Sequence, residues 1–392
     1  MASILFISHM YPNKNNHSYG KVIHEQALSL KKFHNITVIA PVPYVPPFFK
    51  YLKERYAKLK QIEKENDFYG INVYYPRFIA FGSFMFCHTG TFMYWGIRRL
   101  IKKIHKKNKF DLIHAHFTIP DAYAAVKLKK ILKIPLIITL QATDINYTIH
   151  KCPKKLLYCY QNADEIITPT PILKNKLFKL TNLKAKVIGY GISEEKVLIK
   201  APFTLKEKYK GKTIILSVCR LLKSKGLEDA INAFNLIKDK FNNLMYLIIG
   251  EGEEYNYLQS LVNNLNLNNY IFLLGKKSYR EVMEYMDIAD IFLLPSYKET
   301  FGLVYLEAMA HGIITIGCFG QGFDGIIKDY ENGFLAEPQD PKSIAAILEY
   351  ILDNPLIAKE IGIRGKITSQ EFTFEKIANK LDSIYSEVLG GK

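Results

Sequence analysis

The stretch Pro295-Ser-Tyr-Lys-Glu299-Thr-Phe-Gly302-Leu-Val-Tyr-Leu-Glu307-Ala-Met-Ala-His-Gly312 joins a predicted strand to a predicted helix. The apolar run Ile291 to Leu294 stops at the proline, as a buried strand does at its end. Apolar residues then recur at helical spacing as far as Gly312, a residue type that commonly ends helices. The pattern therefore predicts that Glu299 lies in the loop before the helix and that Glu307 lies on the helix.

The spacing of these two glutamates limits the chemistry that they can perform. If most of the span between them is helical, they lie roughly 10 to 12 Å apart, at about 1.5 Å per residue. That is wide for a glycosidase acid/base pair, whose carboxyl groups are about 5 to 9.5 Å apart. The spacing is better suited to two glutamates that bind two hydroxyl-bearing parts of one long ligand. Gly302 and the free N–H groups of the helix start would then face an anion between these two parts. A nucleotide sugar has that layout, and the alternative is two solvated surface acids.

Length and composition describe a soluble globular protein of two or more domains, with 392 residues, 48% of them hydrophobic and 23% charged. The apolar runs are shorter than the roughly 18 to 20 residues that a bilayer requires, and the N-terminus has no basic region of a signal peptide. We therefore expect a cytoplasmic protein. The net charge of +16 calls for an anionic partner. Anionic phospholipid is favoured over nucleic acid, because the chain has no helix-turn-helix, zinc-finger or RNP-type motif.

The spacing of the cysteines and of the acidic residues leads us to expect neither disulfides nor a metal site. The five cysteines are an odd number at scattered spacing, without a C-x-x-C pair, so we expect reduced and mostly structural thiols. No Asp-x-Asp pair stands near a predicted strand end, where it could bridge a metal ion to phosphates. We therefore expect no metal site, no cofactor and an activity that needs no divalent cation.

The first half of the chain alternates between strands and helices, which predicts a parallel sheet wound with helices. The chain begins with a predicted strand, Ile4 to Ser8, followed by a polar loop and by Gly20 at the start of a helix. This arrangement is typical of a loop that binds an anion, but also of an ordinary first βα turn. His114 and His116 occupy alternate positions of a short strand, so both point to one face. His116 is nearer the C-terminal end, where open α/β sheets bind ligands, although a buried structural histidine is equally compatible.

The second half repeats this pattern after a polar, lysine-rich stretch, residues 193–212, which we interpret as a linker. Five short apolar runs are separated by segments of helix length, and two such sheets in one chain predict a cleft between two lobes. The loops after the first two runs carry Arg220 with Lys225, and Gly250 with Gly252. Arg220 and Lys225 are suited to a diphosphate, one as a fork and one as a point charge. A solvated basic loop is the alternative.

These residues carry a resemblance to a known family. Ser217-Val-Cys-Arg220-Leu-x-x-x-Lys225-Gly226, Gly250-Glu-Gly252, Glu299-x7-Glu307 and Asn332-Gly333-Phe-Leu resemble, in that order, the donor half of glycosyltransferase family 4. The first half is similar in Tyr11-Pro12 with Gly20, in His114-Ala-His116, and in Pro120-Asp121 followed by Thr143-Asp144. This chain departs from the usual family pattern at Cys219, Tyr19, Gln141 and Gly189-Tyr-Gly191. The departures affect the acceptor side and the hinge more than the donor site.

The resemblance implies the GT-B fold, an α/β fold of two Rossmann-like lobes that face a central cleft. It implies an acceptor-side lobe at 1–192, a donor lobe at 213–371 and a C-terminal helix at about 372–392 that packs back on the first lobe. It also implies a role for each site residue. Arg220 and Lys225 would hold the donor diphosphate, Glu299 the sugar hydroxyls and Glu307 the ribose, while the backbone of Phe301, Gly302 and Leu303 would bind phosphate and sugar, Gly20 would approach the phosphate and His116 the reacting centre.

We therefore expect a retaining, metal-independent glycosyltransferase of hexosyltransferase type. It would move a sugar from a UDP- or GDP-linked donor to a sugar or lipid-linked acceptor in cell-surface polysaccharide or glycolipid synthesis. A non-catalytic two-lobed binder of nucleotide sugars or anionic polymers and a GT-B nucleotide-sugar epimerase are the alternatives.

Aromatic and basic residues at Phe48 to Lys53, Phe84 to Phe86 and Phe92 to Lys103 predict a first lobe that docks on an anionic membrane surface. Their alternative role is as core of that lobe.

Overall fold

The computed structural model describes residues 1–17, 19–46 and 58–390. The chain divides into two compact units. The first comprises Met1–Pro169, Leu173–Gly191 and Phe374–Lys392, and the second comprises Thr170–Ile172 and Ile192–Thr373. The stretch that the sequence suggested as a linker carries the short helices Glu194–Val197 and Phe203–Lys208 and belongs to the second unit.

The first unit is built on an eight-stranded sheet in the order β10-β9-β8-β7-β1-β2-β5-β4. Neighbouring strands are parallel except for the β4–β5 hairpin. A two-stranded ribbon pairs β3 with β6. The strands are β1 Ser3–Ile7, β2 Asn35–Ile39, β3 Val42–Pro43, β4 Glu65–Phe68, β5 Ile71–Tyr74, β6 Arg77–Phe78, β7 Leu112–His116, β8 Leu136–Thr139, β9 Glu165–Thr168 and β10 Lys186–Val187.

The central strands β1, β7 and β8 are buried along nearly their whole length, the pattern of strands covered by helices on both faces of a sheet. Leu5, Ile113 and Ile138, on three adjacent strands, have no exposed surface. The helix Phe374–Gly390 packs against the helix Lys21–Leu30. The other helices of this half are Thr89–Lys107, Tyr123–Leu132, Ile149–Lys151, Pro153–Gln161 and Pro171–Thr181, with tighter or wider turns at Gly82–His88, Thr118–Ala122 and Asp144–Thr148.

The second unit has a six-stranded, fully parallel sheet in the order β13-β12-β11-β14-β15-β16. Its strands are β11 Thr213–Val218, β12 Leu244–Ile249, β13 Ile271–Leu273, β14 Ile291–Leu293, β15 Ile314–Cys318 and β16 Phe334–Ala336. Its longer helices are Leu227–Ile237, Tyr255–Asn264, Tyr279–Met286, Leu303–His311, Pro341–Asp353 and Pro355–Ser369. All five apolar runs predicted as strands are strands, and the helix after Gly302 ends at Gly312 in the left-handed conformation, as predicted.

The expectation that all cysteines are reduced is wrong for two of them. Cys87 and Cys152 form a disulfide, whereas Cys159, Cys219 and Cys318 are free. The two half-cystines are 65 residues apart in the sequence, but the fold brings their Cα atoms to 5.7 Å, a distance that a disulfide spans. Spacing along the chain carried no sign of this contact. Among the described helices, none is long and apolar enough to cross a membrane.

Candidate active site

Three loops of the second unit meet at one edge of its sheet. They follow β11, β12 and β14, which are neighbouring parallel strands, so their C-terminal ends lie side by side. In an open α/β sheet this edge is where ligands bind. The predicted donor residues Arg220, Lys225, Gly250, Gly252 and Glu299 all stand on these loops.

Glycines allow these loops to touch through their backbones. A Cβ atom on Gly226 would lie 2.4 Å from the carbonyl oxygen of Pro295, and one on Gly252 would lie 2.1 Å from that of Leu221. Gly250 is as crowded, because its Cβ would meet the carbonyl oxygen of Cys219. In this structure Gly250 and Gly252 therefore pack the β12 loop against the loop that carries Arg220. This contact explains both glycines without any ligand.

The central contact of the site is an ion pair between two of the predicted residues. Lys225 Nζ lies 2.8 Å from Glu299 Oε2, and the two side chains are only 17% and 13% exposed. The other carboxylate oxygen of Glu299 accepts a hydrogen bond from the backbone N–H of Thr300 at 3.0 Å. Arg220 is exposed, and its guanidinium forms no hydrogen bond or ion pair within the part of the chain that the structure describes. The site thus combines one fixed cation, one fixed carboxylate and one cation free to reach a ligand.

The helix Leu303–His311 starts directly beside this pair. Gly302 is its N-cap in the left-handed conformation, and the first N–H groups of a helix have no intrahelical acceptor. Phe301 is buried, and its ring contacts that of Phe323 at 5.6 Å between centroids. One turn into the helix, Glu307 accepts a hydrogen bond from Tyr279. Partial burial, the charge of Glu307 and this bond raise the pKa of Tyr279 above its usual value.

A fourth loop was missed by the sequence analysis. It follows β15 and brings Gly322 so close to Thr300 that a Cβ atom would lie 2.4 Å from the Thr300 carbonyl oxygen. The loop is closed by a hydrogen bond of 2.7 Å from the backbone N–H of Gly320 to Asp324. The glycines of Phe319-Gly-Gln-Gly-Phe323 at the end of an apolar run were the signal that could have revealed it.

In the first unit, Gly20 starts the helix Lys21–Leu30 in the left-handed conformation. A Cβ atom there would lie 2.2 Å from the carbonyl oxygen of Met10, so the glycine closes the first βα turn on itself. This observation favours the ordinary-turn interpretation over the anion cradle, since the face without a side chain is occupied by protein backbone.

The two histidines of β7 have different environments. Their rings stack at 4.4 Å between centroids, as the strand periodicity predicted. His114 bonds to Tyr385 at 2.6 Å and to Thr139 at 2.7 Å, so it is a satisfied core histidine. His116 is completely buried, and neither ring nitrogen has a hydrogen-bond partner among the described residues. Burial lowers the pKa of His116 to about 3 and keeps the ring neutral.

A second cluster lies at the C-terminal ends of β1, β7 and β8, and the sequence analysis did not assign it. His9 Nδ1 is 2.6 Å from Asp121 Oδ2, and the backbone N–H of His9 donates to Asp121 Oδ1 at 2.9 Å. Asp144 is also buried and accepts backbone N–H groups of Thr118 and Gln141, both at 2.9 Å. Burial raises the pKa of Asp144 to about 6, although these two hydrogen bonds oppose the shift.

Backbone strain accompanies this cluster. Phe117 has a φ of 66° and a ψ of 149°, a region that only glycine enters easily. A residue held there costs about 1 to 3 kcal/mol and persists only where its surroundings fix it. Its ring meets the ring of His9 edge to face at 5.1 Å. Across the described residues, no group of three or more His, Cys, Asp or Glu side chains could hold a metal ion.

Two α/β units with largely parallel sheets, each carrying polar groups at its strand ends, define the GT-B class of glycosyltransferase folds. Two family models match the chain: Glycosyltransferase Family 4 over residues 20–196 and Glycosyl transferases group 1 over residues 203–368. An uncharacterized glycosyltransferase of Methanocaldococcus jannaschii is 30% identical over 73% of this chain and 78% of the relative. The chain therefore belongs to glycosyltransferase family 4, and it is a glycosyltransferase.

Two further relatives have named products. N-acetyl-alpha-D-glucosaminyl L-malate synthase of Bacillus anthracis is 28% identical over 73% of this chain and 77% of its own. Alpha-monoglucosyldiacylglycerol synthase of Acholeplasma laidlawii is 26% identical over 75% of this chain and 79% of its own. The names of these two relatives describe different products, one containing L-malate and the other diacylglycerol.

Solved structures support the fold. Sucrose-phosphate synthase from Thermosynechococcus elongatus matches with a TM-score of 0.77 and 18% identity, over 100% of both chains. Anabaena HepE in complex with UDP-glucose matches with a TM-score of 0.68 and 18% identity, over 99% of this chain and 100% of its own. At this identity the likeness concerns the fold alone.

The backbone contact at Gly226 leads to a first prediction. Gly226→Ala should destabilise the protein by more than the about 1 to 2 kcal/mol that a left-handed alanine costs, because the new Cβ also clashes with the Pro295 carbonyl. Gly275→Ala is the matched control, since Gly275 has nearly the same φ (69° against 68°) and no atom within 4 Å of its Cβ position. Denaturant unfolding of both variants measures the difference. Equal losses would mean that the loop contact contributes nothing.

Proposed function

We propose that this glycosyltransferase is a retaining enzyme that moves a hexosyl group from a UDP- or GDP-linked sugar to a hydroxyl group. The observation that carries the proposal is the Lys225–Glu299 pair, 2.8 Å across two neighbouring strand-end loops and beside the start of the helix Leu303–His311. A cation, a carboxylate and free backbone N–H groups within one small region are the groups that a diphosphate attached to a sugar requires.

The proposed role of each group is the one that the family resemblance implies. Arg220 and Lys225 bind the diphosphate, and the backbone of Phe301, Gly302 and Leu303 donates to phosphate and sugar. Glu299 accepts hydrogen bonds from sugar hydroxyls. Glu307, one turn further along the helix, accepts a bond from the ribose in addition to the one from Tyr279.

The reaction creates negative charge on the leaving diphosphate as the bond from the sugar carbon to oxygen breaks. Preorganised cations and N–H groups stabilise that charge more in the transition state than in the ground state, which is the main catalytic contribution available here. Lys225 is already fixed by Glu299, so it needs little reorganisation before the donor binds. This supply of positive charge is also why we propose that no divalent cation is required.

For the acceptor, we propose a lipid-linked hydroxyl at the cytoplasmic face of an anionic membrane, as in glycolipid or cell-surface polysaccharide synthesis. Phe84 is 95% exposed, and Phe81 and Trp95 are 54% and 55% exposed. Rings of Phe81 and Trp95 both contact Phe92, at 5.3 and 6.0 Å between centroids. Arg99, Lys102 and Lys106 continue the helix stripe of Trp95 at helical spacing and are exposed. We call Phe81, Phe84, Trp95, Arg99, Lys102 and Lys106 the aromatic–basic surface.

Solvent exposure separates two groups of aromatic residues that the sequence could not distinguish. Phe92 and Tyr94 are partly buried against the core of the first unit, as the core interpretation expects, whereas Phe84 and Trp95 are not. Phe48 to Lys53, which also contributed to the prediction, lie outside the described residues. The diacylglycerol acceptor of the Acholeplasma relative supports a lipid acceptor, and the malate acceptor of the Bacillus relative supports a small soluble one.

The experiment that tests the proposal is a matrix of donors and acceptors. UDP-, GDP- and ADP-linked glucose and N-acetylglucosamine are first compared by thermal shift, where a ligand at 100 times its Kd stabilises by about 2.7 kcal/mol. Donors that bind are then offered dioleoylglycerol in phosphatidylglycerol vesicles or L-malate, with and without EDTA. Sugar transfer with retained anomeric configuration in EDTA is expected. Inversion, or a need for magnesium or manganese, would overturn the corresponding part of the proposal.

Arg220→Ala should weaken the nucleoside diphosphate and the nucleotide sugar together. A charge-assisted hydrogen bond contributes about 1.5 to 3 kcal/mol, which corresponds to roughly 10- to 150-fold in Kd. Lys223→Ala is the matched control because Lys223 is an exposed cation on the same loop. Isothermal titration with the nucleoside diphosphate measures both. If the affinity of the Arg220 variant is unchanged, Arg220 does not bind the diphosphate.

Glu299→Gln should behave differently from Arg220→Ala. The amide keeps the shape of the side chain but loses the charge that accepts sugar hydroxyls, so transfer should fall at least tenfold. Binding of the nucleoside diphosphate should stay nearly the same, because the amide oxygen can still accept a hydrogen bond from Lys225 and hold it in place. Parallel losses in both measurements would contradict the assignment of Glu299 to the sugar.

The aromatic–basic surface should bind anionic vesicles through inserted rings and about 1 kcal/mol for each basic residue. Co-sedimentation with phosphatidylglycerol vesicles is expected at low salt and should be lost at high salt and with phosphatidylcholine alone. Phe84→Ser should reduce binding, whereas Phe203→Ser, at a 75% exposed position of the second unit, should not. A protein that stays in the supernatant with anionic vesicles would contradict the membrane assignment.

A further inference from the structure

The helix Pro355–Ser369 of the second unit carries large apolar side chains on its exposed face. Its buried residues, on the opposite face, are Ala358, Ile361, Gly362, Gly365 and Ser369. Leu356, Ile363 and Ile367 are 79%, 51% and 59% exposed. Their spacing of seven and four residues places them in one row along the helix, because a turn takes about 3.6 residues. We call these three residues the aliphatic stripe. A helix at a protein surface normally carries polar residues there.

Two glycines fix which face of this helix turns inward. The helix packs against the helix Leu303–His311 and against β15. A Cβ atom on Gly362 would lie 2.7 Å from the carbonyl oxygen of Gly312. One on Gly365 would lie 2.8 Å from the carbonyl oxygen of Asn332. These close approaches exist only with the glycines turned inward, which leaves the aliphatic stripe on the surface. Three large apolar side chains in one row are typical of an interaction surface, whereas single exposed ones are ordinary.

A carboxylate lies within the aliphatic stripe. Glu360 is four residues after Leu356 and three before Ile363, so all three share one side of the helix. Its side chain is 72% exposed, and Arg364 Nη1 lies 3.9 Å from its Oε2. A membrane that covered the stripe would also have to take up this charged group, which hydrocarbon solvates poorly. The stripe therefore favours a protein partner that presents an apolar surface with a cation beside it.

A second copy of this chain has that combination. Two such helices can lie antiparallel about a two-fold axis that passes between Glu360 and Ile363. Leu356 of each copy then faces Ile367 of the other. Glu360 lies level with Arg364 of the second copy, on the flank where the two helices meet, and the symmetry repeats this pair on the other side of the axis. Each copy therefore supplies both halves of the contact.

The two lysines of the exposed face lie on the other flank of the aliphatic stripe. Lys359 lines a groove beside the helix together with His311, and Lys366 lines a second groove together with Leu198. Both lysines are exposed, and side chains of this length carry their charge away from an apolar contact into water. They therefore leave the Glu360–Arg364 pairing as the charge contact between the copies.

We propose that the helix Pro355–Ser369 joins two copies of this chain in a symmetric dimer, with the aliphatic stripe at its centre. The proposal does not depend on the proposed function, because it rests on the surface of this helix alone. One antiparallel helix pair is small beside the about 800 Å² per partner of a standard interface. The dimer should therefore be weak, with a Kd roughly in the micromolar range.

Sedimentation velocity over a range of concentrations tests the dimer. The unaltered protein should pass from monomer to dimer as its concentration rises to about 100 µM. Ile363→Glu brings a further carboxylate next to Glu360 of the other copy and should raise the dimer Kd at least about tenfold. Leu236→Glu is the matched control, because Leu236 is also 51% exposed but lies on the helix Leu227–Ile237. A protein that is still monomeric at about 100 µM, or a dimer that Ile363→Glu leaves unchanged, would overturn the proposal.

Charge reversal tests the antiparallel arrangement. Glu360→Arg and Arg364→Glu each bring like charges together between the copies. At low salt, where such repulsion is screened least, each variant alone should be monomeric at a concentration that gives dimer for the unaltered protein. An equimolar mixture of the two variants should dimerise again, because every contact between the copies then joins opposite charges. A mixture that stays monomeric, or a single variant that dimerises as tightly as the unaltered protein, would contradict this arrangement and the proposal with it.

Membrane binding through this helix is the competing outcome. In that case the unaltered protein would be monomeric in solution and sediment with phosphatidylglycerol vesicles, and Ile363→Glu would lose this binding whereas Leu236→Glu would keep it. That result would overturn the dimer. Circular dichroism establishes that each variant is folded. If Ile363→Glu fails to fold, the charge-reversal mixture decides the question, since Glu360 and Arg364 are both exposed.

Discussion

Contact between backbones of neighbouring strand-end loops is the constraint on which the second unit's site depends. Lys225 can reach Glu299 only because Gly226 lets its loop lie against Pro295, where any side chain would collide with a carbonyl oxygen. Gly252 does the same for the loop after β12, and Gly322 for the loop after β15. The charged groups are therefore positioned by residues that contribute no functional atoms. Side chains held by such a rigid frame lose little entropy when a ligand arrives, which is the basis of preorganised electrostatic catalysis.

Two histidines on one strand of the first unit have very different environments. His114 and His116 share a face of β7, yet one is fully hydrogen-bonded and the other has no partner among the described residues. An unpaired buried polar group costs about 1 to 3 kcal/mol, so the fold keeps His116 at a loss that packing alone does not explain. His116 and the strained Phe117 lie a few residues before Asp121 in the sequence, and the ring of Phe117 contacts that of His9. The residues that reduce the stability of the first unit therefore lie next to its cluster of buried polar side chains.

The sequence predicted what depends on local pattern and could not predict what depends on contacts between distant residues. The strands β11 to β15, the helix that ends at Gly312 and the loop position of Glu299 all follow from periodicity and helix-end residues. Lys225 and Glu299 were both chosen, but their pairing over 74 residues was not foreseen, because it requires the order of strands in the sheet. His9 and Asp121 are 112 residues apart, and the Cys87–Cys152 disulfide was hidden for the same reason. The hairpin strand β4 escaped because its residues Glu-Asn-Asp-Phe are too polar to read as a strand.

That polar strand has a consequence for how the protein behaves at high concentration. β4 forms one border of the eight-stranded sheet, and its Glu65 and Asp67 are exposed on it. The opposite border, β10, is only two residues long, and its Lys186 is paired with Glu165 and Glu387. Exposed sheet borders are templates on which other chains can add strands, and charge and brevity both discourage such addition. The charged residues that made β4 hard to recognise in the sequence are thus also the ones that discourage strand addition at this border of the sheet.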